Sequence, residues 1–482
     1  MYFSPGCRNP SDKDRGILRD PANLVPIWTC APYRAYKLEC NEQFEFKTFE
    51  WNCAQLKTQE AKSQAPSVPM HPTPPVRAVK EAPMRQNQSV LLLLVLLATA
   101  VRGSLASTPD VVALPHNRGS VRGIVDVADG SRSFRSIPFA KSPAGALRWR
   151  PPEPATPWPG EVLDARHAGP SCLQPPGFNP PIFEMSEDCL RLSVYTPLTT
   201  AASNHAVLLW VHGGSFTGGG ANQTRLDGRY TVSALGDVIV VVLQYRLGAF
   251  GFLGSDRLRS RDPHGSTGNY GLLDQRAGLL WVQTNIAAFG GDPDRVLLMG
   301  QSAGAASVGA HLVMQRSTGL FSRAGMSSSG FVDWSSSVMA AAEEMYDEVL
   351  LRAGCGGANA SCLENAPADL IRNISNEIDF RGDPTGDIRS KGLSGNQRWG
   401  GTANPAGWGP TVDGVELLLA PERYLAAAAN ATIDVGLTSL GSVPIMIGWA
   451  RDEGGGFAGA TPVRCLLACR CSFVLSHPII ST

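Results

Sequence analysis

Arg295 to Met299 reads RVLLM, Gly300 to Gly304 reads GQSAG, and Ala305 to Met314 reads AASVGAHLVM. A short apolar run, a serine flanked by glycines and a small-residue apolar stretch follow one another without a gap. That order predicts a buried strand, a sharp turn and a helix. The pattern G-x-S-x-G in this setting lifts a serine hydroxyl clear of the sheet edge. A residue at such a turn has a strained backbone, and side chains two positions to either side would collide with it, so both positions are glycine. The following helix directs its positive end at the same point. Ser302 is the candidate nucleophile.

Working outward, Ala206 to Val211 (AVLLWV) and Val238 to Leu243 (VIVVVL) are short apolar runs bounded by turn residues. Both read as buried parallel strands. Asp274 to Phe289 places apolar residues at helical spacing, and Gly290-Gly291-Asp292-Pro293 ends that helix. Strands alternating with helices predict an α/β fold with a central, mostly parallel sheet flanked by helices. Chemistry in such sheets gathers at the carboxyl ends of the strands. The first of these runs ends in His212-Gly213-Gly214-Ser215-Phe216. A glycine-rich loop there can present backbone N–H groups to an oxyanion, and Gly214, Ser215 and Ala303 are the candidate donors.

Together these segments resemble the type-B carboxylesterases, the family of carboxylesterases, cholinesterases and neuroligin-like proteins. The resemblance runs from about Gly123 to Phe457. It includes Phe134 to Ala140 (FRSIPFA), Leu147 to Pro154 (LRWRPPEP) and Glu187-Asp188-Cys189-Leu190. Tyr245 to Gly248 (YRLG), Gly268 to Leu272 (GNYGL) and Phe289 to Pro293 (FGGDP) extend it. It implies an α/β-hydrolase fold and serine-dependent hydrolysis of carboxylic esters through an acyl-enzyme, with neither cofactor nor metal. It also implies the disulfides Cys172–Cys189 and Cys355–Cys362, an Arg148–Glu187 ion pair, and Gly414 in an Asp-Gly turn. The triad acid it implies is Glu453, after an expected strand over 443–448, with Asp452 as the second candidate. The order serine, then acid, then histidine is that of the α/β-hydrolases. A non-catalytic, neuroligin-like adhesion module is the alternative on the same fold.

The sequence departs from the family at its base. The family's histidine lies roughly a hundred residues beyond the acid, and here only His477 follows Glu453, with no motif around it. His71, His116, His167, His205, His264 and His311 match no catalytic motif, and His212 belongs to the oxyanion loop. The catalytic histidine is unassigned, and the domain is expected to lack its last strands and helices. Gln301 stands where the family usually has Glu, Ser215 replaces a third glycine, and the stretch between Cys172 and Cys189 has no Trp. A quaternary ammonium group is commonly held over a Trp face. The expected substrate is therefore a small or medium-sized neutral ester rather than a choline ester.

Composition bears on partners and compartment. The 482 residues carry 42 basic and 42 acidic side chains, a net charge of zero, so charge gives no case for a nucleic-acid partner. Val90 to Val101 is a hydrophobic run of twelve residues without a charge, short of the about twenty residues of a membrane span. With Met84-Arg85 before it and Gly103, Ser104 and Ala106 after it, residues 84–106 read as a secretory signal peptide. The expected organisation is a spurious or disordered extension over 1–83, the signal over 84–106, an incomplete hydrolase domain over 107–460 and an aberrant tail over 461–482. The eleven cysteines then divide into Cys7, Cys30, Cys40 and Cys53 in the extension, Cys465, Cys469 and Cys471 in the tail, and the two pairs between. An even number suits a secreted protein. The expected location is extracellular, or membrane-anchored through 90–101 if translation starts at Met1. Asn222, Asn359, Asn373 and Asn430 head N-x-S/T sequons and are candidate glycosylation sites. Oligomeric state is unassigned.

Overall fold

A computed structural model describes residues 110–175, 184–198, 204–331, 336–356, 360–378, 407–429 and 438–449, with the short strands Lys47–Thr48 and Phe473–Ser476. Of two compact units, Met1–Gln43 with Phe49–Ala82 lies outside the described residues, and the second holds everything below. The signal-like segment, Glu453, Asp452, Asn359, Asn430 and His477 also lie outside them. Among the described residues, no helix is long and apolar enough to cross a membrane.

The architecture is a ten-stranded sheet with helices packed on it. Its strands in chain order are β1 (Ile124–Asp126), β2 (Ser131–Pro138), β3 (Arg191–Pro197), β4 (His205–Val211), β5 (Val238–Leu243), β6 (Gly291–Gln301), β7 (Arg323–Ser327), β8 (Ile445–Gly448) and β9 (Phe473–Ser476). Across the sheet the order is Lys47–Thr48, β9, β8, β7, β6, β4, β5, β3, β2, β1. The run β5–β4–β6–β7–β8 is parallel throughout. Both flanks are antiparallel. The sheet is thus mixed, with the parallel character confined to its centre. The reason is visible in the chain: β1 and β2 form a hairpin whose turn includes Gly130 at φ +64°, and a hairpin can only pair antiparallel strands.

The centre is where the apolar runs lie. Leu209 of β4 pairs with Val241 on one side and Leu298 on the other, and all three are fully buried. β5 spans Val238–Leu243 as expected, and its β-branched residues fill both faces of the sheet. β6 is longer than Arg295–Met299, because Gly291–Asp294 continue it in extended form.

The helix expected over Asp274 to Phe289 is α3 (Tyr270–Asn285), followed by a 3₁₀ turn, Ile286–Phe289. It begins before Asp274 because Tyr270, Leu272 and Leu273 are buried, which outweighs the low helix propensity of Gly271. A Cβ on Gly271 would meet the Phe252 ring at 2.5 Å and the Arg246 carbonyl oxygen at 2.7 Å, so only glycine allows this packing. Gly290, at φ +91°, ends the turn. Three earlier or later helices matter below: α1 (Arg229–Leu235), α2 (Gly248–Phe252) and α4 (Ala303–Val313). Further along are α5 (Met339–Arg352), α6 (Ala360–Asn365) and α7 (Ala368–Ile378).

Both implied disulfides are formed, Cys172–Cys189 and Cys355–Cys362. The implied ion pair is also present. Arg148 grips Glu187 through two hydrogen bonds of 2.8 and 2.7 Å, and its third nitrogen donates to the carbonyls of Leu363, Glu364 and Ala366. One guanidinium therefore ties the first disulfide segment to the end of α6. Gly414 has φ +73° in its Asp-Gly turn. Its neighbour Asp413 accepts from Val415, Glu416 and Leu417 N–H and from the Ser266 hydroxyl, which pins this segment to the loop before α3.

Candidate functional site

Ser302 stands between the carboxyl end of β6 and the first residue of α4, at φ +56°, ψ −124°. This is a backbone region that L-residues avoid at a cost of about 1–3 kcal/mol. The neighbours hold it there. The Ser302 N–H donates to the Ser327 carbonyl at 2.9 Å, and its own carbonyl accepts from Ala306 N–H at 3.0 Å. The two glycines of the motif are needed for different reasons. A Cβ on Gly300 would meet the Gly304 carbonyl group at 2.4 Å, inside the turn itself. A Cβ on Gly304 would meet the Val211 carbonyl oxygen at 2.1 Å and that of His212 at 3.0 Å. Gly304 thus admits the end of β4, and with it the glycine-rich loop, to the base of the serine turn.

That loop is held by contacts on every side. A Cβ on Gly213 would lie 3.0 Å from Ser302 Cβ, so the loop and Ser302 are in direct contact. Gly214, Ser215 and Phe216 all have positive φ, at +126°, +55° and +61°. This succession turns the chain tightly, and the Gly214 carbonyl accepts from both Thr217 and Gly218 N–H at 3.0 Å. The amides of Gly214 and Ser215 have no hydrogen-bond acceptor among the described residues, which leaves them available to a ligand oxygen. Ala303, the first residue of α4, is fully buried. The structure brings the strand end carrying Gly214 and Ser215 against the turn carrying Ser302 and Ala303.

The supports of this arrangement are residues that motif reading missed. Gln174, just beyond Cys172, donates to the Gly219 carbonyl at 2.8 Å and accepts from the Gly219 N–H at 2.9 Å. The Tyr245 hydroxyl donates to the His212 carbonyl at 2.9 Å, and its ring stacks on the His212 imidazole at 4.4 Å. Burial pushes the Tyr245 phenol above its usual range, so it stays a donor. Behind α4, His311 is fully buried with both ring nitrogens bonded, to Ser317 Oγ at 2.9 Å and to Gln275 Oε1 at 3.1 Å. Gln275 Nε2 donates to Ser307 Oγ, and Ser307 donates to the Ala303 carbonyl at 2.9 Å. This chain of bonds ends at the first turn of α4. The only signals for it in the sequence are isolated polar residues inside apolar helical stretches.

No histidine among the described residues is hydrogen-bonded to the Ser302 hydroxyl. His212 is buried, its Nδ1 bonded to the Gly213 carbonyl at 2.9 Å. Burial lowers its pKa to about 4, and that of His311 to about 3. Both are neutral at pH 7. Of the two sequons on described residues, Asn373 is exposed on α7, whereas Asn222 is half-buried. Asn222 donates to the Gly169 carbonyl and accepts from Ser171 Oγ.

The family model described as "Carboxylesterase family" matches residues 108–464. Pyrethroid hydrolase Ces2e of Rattus norvegicus is 39% identical over 312 residues, covering 59% of this chain and 53% of that protein. Acetylcholinesterase of Gallus gallus is 44% identical over 252 residues, covering 48% of this chain and 32% of that protein. Among solved structures, a PNB esterase superposes with a TM-score of 0.60 at 32% identity, covering 74% of this chain and 66% of the other. The chain spans about half the length of curated relatives that it matches. Its sheet and flanking helices are those of the α/β-hydrolase esterases, and the chain belongs to the carboxylesterase family.

Proposed function

We propose that this protein hydrolyses carboxylic esters through an acyl-enzyme formed on Ser302. The observation that carries the proposal is the strained Ser302 backbone at a strand-to-helix turn with Gly213 packed against it. Ser302 Oγ would attack the ester carbonyl, and the carbonyl oxygen would take up negative charge. The N–H groups of Gly214, Ser215 and Ala303 would receive that charge. One such donor is worth about 3–4 kcal/mol in the transition state. Glu453 would orient the base, which has no residue assigned to it. A serine hydroxyl without a base is a weak nucleophile at neutral pH.

The substrate proposed is a small or medium-sized neutral ester. Gln301 beside the nucleophile carries no charge to attract a cation. The signal-like 84–106 segment supports secretion. No observation favours a non-catalytic adhesion role: a pure binding module gains nothing from a strained serine. Incubation with a fluorophosphonate probe and peptide mapping tests the reading. Label at Ser302, absent from Ser302→Ala, is expected; label elsewhere or none at all refutes it.

A further inference from the structure

The sequence contains three Asp-Gly pairs, Asp129-Gly130, Asp227-Gly228 and Asp413-Gly414. Glycine has no side chain to shield its amide nitrogen, so that nitrogen can approach the carboxyl carbon of the aspartate before it. Ring closure between the two depends on what holds the carboxylate and the N–H. Each hydrogen bond that must break first slows it by about two- to tenfold.

Two of the pairs are locked. Asp413 is buried, with Oδ1 accepting from Val415, Glu416 and Leu417 N–H and Oδ2 from the Ser266 hydroxyl and Thr267 N–H. The Gly414 N–H is spent on the Leu417 carbonyl at 3.0 Å. Asp227 is held by Arg135 Nη2 at 3.1 Å, by Arg229 Nη2 at 2.8 Å and by the Arg229 backbone N–H at 3.1 Å. A Cβ on Gly228 would meet the Tyr195 ring at 2.5 Å, so that pair is also packed. The third pair differs on every count. The Asp129 side chain is 46% exposed, and its one charged neighbour among the described residues is Arg229 Nη1 at 3.7 Å. The turn between β1 and β2 is capped by a different carboxylate, Asp126, whose Oδ1 accepts from Ala128 and Asp129 N–H at 3.1 Å. The Gly130 N–H has no acceptor among the described residues, and a Cβ on Gly130 would meet nothing within 4 Å. Electrophile and nucleophile are both unencumbered, and the space beside them is open.

We propose that Asp129 is a modification site, at which the folded protein converts spontaneously to isoaspartate. The Gly130 nitrogen, having lost its proton, attacks Cγ of the Asp129 carboxylic acid. The N–Cγ bond forms, the C–OH bond breaks, and water leaves a succinimide. Water then re-enters: attack at Cγ restores aspartate, and attack at the main-chain carbonyl breaks its bond to nitrogen and routes the backbone through Cγ. The net change is an isomerisation, with no oxidant or co-reactant beyond water. It adds one methylene to the backbone of the hairpin turn and moves the carboxylate that faces Arg229. The test holds the full chain at neutral pH and physiological temperature for several weeks, folded and in urea, and maps isoaspartate in peptides by electron-transfer fragmentation. Each site is compared with its own rate in urea. Asp129 should keep that rate to within about tenfold on folding, whereas Asp227 and Asp413 should each slow by about a hundredfold or more. Asp129→Glu, whose longer side chain closes a larger ring, should remove the signal. No isoaspartate at Asp129 in the folded chain, equal slowing at all three sites, or a signal that survives in Asp129→Glu would each overturn the proposal.

Discussion

Gly213 lies so close to Ser302 that a methyl group on it would sit 3.0 Å from Ser302 Cβ and 2.5 Å from the Gln301 carbonyl oxygen. The second atom is backbone in a turn that is already strained, so it has little room to give. Gly213→Ala should shift the glycine loop, or the serine turn, by a few tenths of an ångström. Displacing one oxyanion donor costs about 10²–10³ in rate. Fluorophosphonate labelling of Gly213→Ala should slow by that order while its thermal midpoint moves far less. Ser302→Gly should do the reverse for stability. It abolishes labelling but relieves the positive-φ strain, so it should be about 1 kcal/mol more stable than Ser302→Ala in urea denaturation.

Gln174 and Gly219 exchange two hydrogen bonds in opposite directions, and both groups are buried. Gln174→Ala leaves the N–H and the carbonyl of Gly219 without partners, at about 1–3 kcal/mol each. Replacing Cys172 and Cys189 together should cost about 3 kcal/mol on the chain-entropy model. It also frees the segment that carries Gln174. The two changes should therefore be non-additive in a denaturant-melt double-mutant cycle, because the second acts partly through the first.

What the sequence displayed, and what it concealed, follows from how each feature is encoded. The serine turn, the central strands and the glycine-rich loop are local patterns: an apolar run such as VIVVVL, glycines two positions either side of Ser302, or paired glycines after His212. The Gln174–Gly219 clamp and the chain from His311 through Gln275 and Ser307 to Ala303 join residues far apart in sequence, each alone unremarkable in type. The antiparallel flanks were hidden for a related reason. Pairing direction is set by connections such as the turn at Gly130, not by strand composition. The disulfide pairing, by contrast, came only from family resemblance.

Asn222 and Asn373 are equal as sequons and unequal as acceptors. The Asn373 side chain is exposed on α7. Asn222 lines a cavity beside β3, with its amide nitrogen on the Gly169 carbonyl at 3.1 Å and its oxygen receiving Ser171 Oγ at 3.0 Å. A glycan there would displace packed neighbours. Glycopeptide mapping after expression through a secretory pathway should find high occupancy at Asn373 and little at Asn222. Full occupancy at both would mean the surroundings of Asn222 differ from those described.

Acid should destabilise this fold through two buried histidines. An unfolded histidine titrates near 6.5, whereas burial holds His212 at about 4 and His311 at about 3 in the folded protein. The unfolded state then binds more protons once the pH falls below about 6.5, so stability is complete above that pH and declines beneath it. Each histidine contributes a slope of about 1.4 kcal/mol per pH unit, until His212 protonates in the folded state near pH 4 and His311 near pH 3. His311 can be isolated by substitution. Its Nε2 faces Gln275 Oε1, an acceptor because Gln275 Nε2 is spent on Ser307, so Nε2 carries the proton and Nδ1 accepts from Ser317. His311→Gln supplies one donor and one acceptor without a titrating group. Urea midpoints measured from pH 7 to pH 4.5 should fall less steeply for His311→Gln than for the parent, even if the variant is less stable at pH 7. Identical slopes would show that His311 is not held neutral by burial.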